Sequence, residues 1–196
     1  RFFIVPRMFD ITPWLWVILS LLFFWTVGAY NRLVRLRTLV VKSFAALDEQ
    51  LVRQLVWVQG CLPEPLRDGM QTAPGELRDE VTAAWVRLQA AGDQFAVALA
   101  QARAQPIDVA SMAGLVLAHE ALRTAWSIVL AQSIAPDAVP SAERLQARWM
   151  RLLHQALPLR AAFNEAAQAY NHGIVQFPAI VLARVFGFRP AGTVTR

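Results

Sequence analysis

The side chains that could do chemistry are few and far apart. The histidines His119, His154 and His172 stand on separate stretches, and Cys61 is the single cysteine of the 196 residues. His119-Glu120 begins like the two-histidine helix motif of zinc proteases. Arg123 stands where the second ligand would fall, so the pair predicts no metal site. Cys61 has no histidine near it in an apolar run, which predicts a buried, inert thiol, and one cysteine allows no internal disulfide. The chain has no phosphate-cradling glycine loop, no nucleophile elbow and no carboxylate pair in an apolar setting. The expectation is therefore no catalytic residue, no metal and no cofactor.

The better-motivated polar group is Tyr30-Asn31 with Tyr170-Asn171, and Asn164 two turns before the latter pair. Buried amides and hydroxyls need partners. The favoured expectation is one mutually satisfied network that fixes helix register; the alternative is a partner-binding surface. Asp48 and Gln50 with Arg53 are spaced for ion pairing on a solvated helix face. Trp85, Trp126 and Trp149 fall on core stripes and read as packing rather than as platforms for nucleic-acid bases.

Charge narrows the class further. Lys and Arg number 19 against 14 Asp and Glu. Through Lys42 the chain carries Arg1, Arg7, Arg32, Arg35, Arg37 and Lys42 against Asp10 alone, which accounts for the whole excess. A nucleic-acid domain would carry its basic face on the folded part. Here Arg32, Arg35, Arg37 and Lys42 form a collar beside a hydrophobic segment, which suits anionic lipid headgroups. No nucleic-acid partner is expected. The single lysine and abundant alanine fit a GC-rich bacterial gene, and an Arg at position 1 fits a start trimmed from a longer chain.

Two kinds of element must position these groups. Residues 13–29 carry no charge, and about twenty apolar residues span a bilayer core. Trp14 and Trp16 sit at one end and Trp25 and Tyr30 near the other, as an aromatic belt does. Pro13 is tolerated in a first helical turn. A signal peptide cleaved after Val27-Gly28-Ala29 is the competing reading. The long apolar core and the basic residues that follow favour an uncleaved anchor. The positive-inside rule then places a short amino terminus outside and the remainder in the cytoplasm.

After Leu33 the apolar positions step by three and four through Leu36, Val40, Phe44, Leu47, Leu51, Leu55, Val58 and Leu62, predicting one helix continuous with the span. Pro63 and Pro65 end it, and residues 63–75 read as a loop. A second helix begins at Pro74, with Glu76, Asp79 and Glu80 near its positive end, and stops at Pro106. Asp108 caps a third; Ser141 caps a fourth, kinked at Pro158, which should free the carbonyl of His154. The fold class expected is all-α: a transmembrane helix continuous with an antiparallel up-down four-helix bundle. On that order the end of helix four returns beside Tyr30 and Asn31. It delivers the tail, with Phe186, Phe188, Arg184 and Arg189, to the bilayer surface. There the tail either lies in the interface or packs on the base of the bundle.

The chain resembles the LemA family of bacterial membrane proteins. The resemblance rests on Y-N-R-L-V-R-L-R at 30–37, L-D-x-Q-L-x-R-Q at 47–54, F-N-E-A-A-Q-A-Y-N at 163–171, F-P at 177–178 and F-G-F-R-P at 186–190. It implies one amino-terminal span, a cytoplasmic helical domain and an unsettled molecular function. The sequence departs from the family at 55–63, L-V-W-V-Q-G-C-L-P, and at Phe163, where tyrosine is commoner. The organisation expected is a tail (1–12), a span (13–29), a LemA-like bundle (30–178) and an apolar, basic carboxyl-terminal tail (179–196). The function expected is a membrane-anchored adaptor or scaffold of the bacterial inner membrane, working through protein contacts and open to homo-oligomerisation. A membrane-surface or envelope-remodelling protein is the alternative, and an enzyme with a site in the bundle core is the third class.

Overall fold

The computed structural model describes residues 11–64, 80–132 and 139–194, whose regular elements are all helices with no strand among them. The helices are α1 (Ile11–Cys61), α2 (Glu80–Ala104), α3 (Val109–Gln132), α4 (Val139–Val175) and α5 (Ala179–Phe186). Residues 1–10, most of the 63–75 loop, the proposed helix start at Pro74 with Glu76 and Asp79, and the turn at 135–138 lie outside the described residues.

α1 is one unbroken helix of 51 residues, about 75 Å long. Its first part is largely exposed: Trp14 is 70% and Phe24 72% exposed, and contact begins only near its end, where Trp25 meets Phe177. From Leu33 onward the same helix turns one face inward, and Leu33, Val40, Phe44, Leu47, Leu51, Leu55, Val58 and Leu62 are buried. A single helix is thus apolar all round at one end and striped at the other, the pattern of two environments along one rod. The last turn closes with the amide of Leu62 on the carbonyl of Gln59 at 3.2 Å, just before Pro63.

α1 packs most extensively on α4, and α2 on α3. Partners descend along α4 as they ascend along α1: Arg32 meets Gln176, Phe44 meets Phe163, Gln50 meets Leu152, and Trp57 meets Trp149. At Gly173 the two helices come so close that an added Cβ would lie 2.8 Å from Leu36 Cδ1. The pairs join across Asp48–Arg103 and a cluster of Trp57, Trp126 and Trp149, whose ring centroids lie 4.9–6.0 Å apart. Asp108 caps α3 as expected: Ser111 donates its amide at 2.8 Å and its hydroxyl at 3.0 Å to the carboxylate. These bonds hold the Asp108 carboxyl below its usual range.

Two expectations need correction, on Gln50 and on the start of α4. Gln50 is not on a solvated face; it is 4% exposed, and Arg53 pairs with Glu49 while Asp48 pairs with Arg103. Its position beside the buried stripe of α1, not its polar type, decides its place. α4 already includes Val139 and Pro140, so Ser141 lies inside the helix rather than capping it, and the helix runs on through Pro158, which has no N–H to give the His154 carbonyl. The apolar part of the tail is itself a helix, α5, joined to α4 through a cis Phe177–Pro178 bond.

Candidate functional site

The interior is not purely apolar. Gln50 and Gln54, one turn apart on α1, both donate their amide N–H groups to the Leu152 carbonyl, at 3.1 and 3.0 Å. Gln50 also donates to Gln155 Oε1 at 3.2 Å. The Gln54 oxygen faces His119 Nε2 at 3.0 Å, and because an amide oxygen only accepts, His119 carries its proton on Nε2. Burial first, then the charges of Arg160 and Arg123, lower the His119 pKa to about 4, so the imidazole is neutral near pH 7. This chain links α3, α1 and α4 and leaves little spare hydrogen-bonding capacity for a ligand. Trp126 Nε1 and Gln132 Oε1 are the buried side-chain polar atoms without a partner among the described residues. No group of three His, Cys, Asp or Glu residues that could hold a metal occurs among them either. Cys61 is half-buried, and desolvation pushes its thiol pKa up, away from reactivity.

The polar group at the other end is organised differently from the expected network. Asn164, Tyr170 and Asn171 do come together, but around the backbone of the carboxyl-terminal tail rather than around one another. Asn171 exchanges a pair of bonds with Ala191, donating to its carbonyl at 2.8 Å and accepting from its amide at 2.6 Å. Asn164 does the same with Val194, at 2.8 and 2.7 Å. The Tyr170 hydroxyl donates to the Arg189 carbonyl at 3.0 Å, and burial raises the phenol pKa, which keeps it a neutral donor. Tyr30 takes no part in this clamp; its ring packs on Phe186 and Phe188 at 5.3 and 6.3 Å between centroids. Asn31 is exposed.

The tail therefore divides. Ala179, Leu182 and Ala183 of α5 are buried, and Phe188, Ala191 and Val194 pack on the bundle. Val181, Val185 and Phe186 remain 53–72% exposed, on the side of the molecule where Trp25 meets Phe177 at 5.3 Å. Gly187 closes α5 in the left-handed region, φ 69°, and its amide reaches back to Ala183.

Among the collar residues, Arg32 donates to Gln176 Oε1 at 3.2 Å while Arg35, Arg37 and Lys42 are exposed. Arg37 and Arg189 border an open cavity of about 630 Å³, walled by Val41, Ile107, Tyr170 and Phe188. The spacing of the collar was visible in the sequence; the convergence of Arg37 with Arg189 depends on the clamped tail and was not. Trp14 and Trp16 stand exposed at the outer end of α1. By length and composition, one helix, Pro13–Cys61, could cross a membrane, and none of its apolar window is buried. No protein-family model matches this chain, and no curated protein or solved structure matches it.

Proposed function

We propose that the protein is a membrane-anchored adaptor of the LemA type, holding an antiparallel helical bundle at the cytoplasmic face of a bacterial inner membrane and acting through protein contacts. The observation that carries this reading is the continuity of α1. An uncharged, largely exposed apolar stretch becomes, without a break, the core helix of the bundle. Leaving that stretch in water would expose a large contiguous apolar surface, which soluble monomers avoid. The buried Gln50–Gln54–His119 chain is closed on backbone, which supports a structural rather than a reactive interior.

The reading is tested by photo-crosslinking in intact membranes from positions on the exposed faces of α2 and α3, such as Val97 and Leu117. It expects discrete adducts with particular proteins. A uniform smear, or no adduct beyond lipid, would remove the adaptor reading.

One observation favours a second, membrane-surface role. Val181, Val185 and Phe186 face outward next to Tyr30, at the end of the bundle nearest the apolar stretch. With Arg184 exposed beside them, this suits a short helix seated among headgroups. Vesicle flotation with and without anionic lipid separates this role from simple anchoring.

A further inference from the structure

The clamp on α4 reads backbone rather than side chains. Five hydrogen bonds come from Asn164, Tyr170 and Asn171, and a sixth joins the Gly192 amide to the Ile107 carbonyl at 3.0 Å. All six fall on main-chain atoms of residues 189–194. The spacing is commensurate. Asn164 and Asn171 lie seven residues apart on a helix, about 10.5 Å, a span that the three steps from Ala191 to Val194 cover only in near-extended chain, at about 3.3 Å each. Two asparagines two turns apart are therefore placed to hold one extended segment at two points.

The groove also selects by size at one position. A Cβ on Gly192 would lie 2.9 Å from Val109 Cα and 2.9 Å from Met112 Cβ, at the start of α3, where backbone leaves no room to yield. Ala191 and Val194, on either side, are 4% and 6% exposed, while Thr193 between them is only half-buried. The groove thus admits glycine alone at the second position, buries the residues at the first and fourth, and leaves the third half-open. Residues 187–190, which lead into it, border the open cavity on one side, while the Phe188 ring packs on the bundle and on Tyr30.

We propose that this groove is a binding site for an extended Ala-Gly-x-Val segment, filled here by the chain's own residues 191–194, and that the same segment of a second copy exchanges into it. The second copy is the occupant because its tail presents the backbone and glycine that the groove recognises. Anchoring in a common membrane plane, which rests on the proposed function, would also hold two tails at one height and raise their effective concentration.

The test uses full-length protein in detergent and a labelled, end-blocked peptide of residues 189–194, with its glycine-to-alanine analogue as control. Gly192→Ala should expel the resident tail, seen as faster hydrogen exchange at residues 189–194, and leave the groove open. The peptide should then bind this variant at least tenfold more tightly than it binds the unaltered chain. The analogue should bind at least tenfold more weakly than the peptide, and adding Asn171→Ala should abolish binding. Excess peptide should also accelerate exchange of the resident tail in the unaltered protein, a readout that needs no variant. Equal binding of the two peptides, or no binding to a chain whose tail is released, overturns the groove.

For the second copy, a chain with Asn164→Ala and Asn171→Ala supplies a free tail and a chain with Gly192→Ala supplies an open groove. Mixing the two should give a hetero-pair that neither forms alone, and that is lost when the tail donor also carries Gly192→Ala. Absence of the pair overturns exchange between copies. Because the mixture holds no other protein, that failure is distinct from failure of the adaptor reading.

Discussion

Gln54 is one amide serving two helices: its oxygen accepts from His119 on α3 and its N–H group binds the Leu152 carbonyl on α4. Gln54→Leu strands a buried imidazole N–H, which should cost about 1–3 kcal/mol, measured by chemical denaturation in detergent. His119 adds a pH dependence. Its folded pKa of about 4 lies below the 6.5 of an ordinary histidine, so folding favours the neutral ring. That contribution is whole above pH 6.5 and is lost as pH falls from 6.5 toward 4. It amounts at most to roughly 3 kcal/mol. Its partners come from every neighbouring helix: Gln54, the Phe95 ring at 5.4 Å, Arg123 and Arg160. Denaturation at pH 7.5 and pH 4.5 should therefore give a smaller difference for His119→Gln than for the unaltered chain. An unchanged difference would show that another group carries the acid sensitivity.

At the scale of elements, α4 and α5 build the end of the bundle nearest the apolar stretch of α1. Asn171→Ala removes two hydrogen bonds from the tail, worth about 1 kcal/mol each, so exchange at residues 189–194 should quicken roughly thirtyfold while the α2–α3 pair stays protected. On α5 the buried and exposed faces allow a cleaner membrane test than Phe188, whose ring packs against the core. Val181→Asp with Val185→Asp changes exposed positions alone. It should lower binding to anionic vesicles severalfold with little change in melting, and unchanged binding would assign those side chains to water. The helices were legible in the sequence because steps of three and four accumulate over long stripes, and Leu33 to Leu62 are buried as that spacing requires. The polar interior was not, because Gln50 and Gln54 share that stripe but look like surface residues by type. The tail clamp was half legible: Asn164, Tyr170 and Asn171 were recognisable as needing partners, but those partners are main-chain atoms, which leave no residue pattern. Only Gly192, wedged against α3, could have hinted at a close approach.

At the scale of the whole molecule, the arginine collar, α5 and the clamped tail gather at one end of the bundle, and the tryptophan cluster and the Gln54–His119 chain lie farther along α1. The apolar, largely exposed stretch of α1 extends from the collar end. The account's central claim is that this stretch crosses a membrane with the bundle on the cytoplasmic side. The most direct test is a pair of reporters fused after Arg196, one active only in the cytoplasm and the other only outside it. The account predicts activity from the cytoplasmic reporter alone, with the protein retained in the membrane fraction after carbonate extraction. Activity from the external reporter alone would contradict it, and would turn the collar, the groove and the bundle toward partners on the other side.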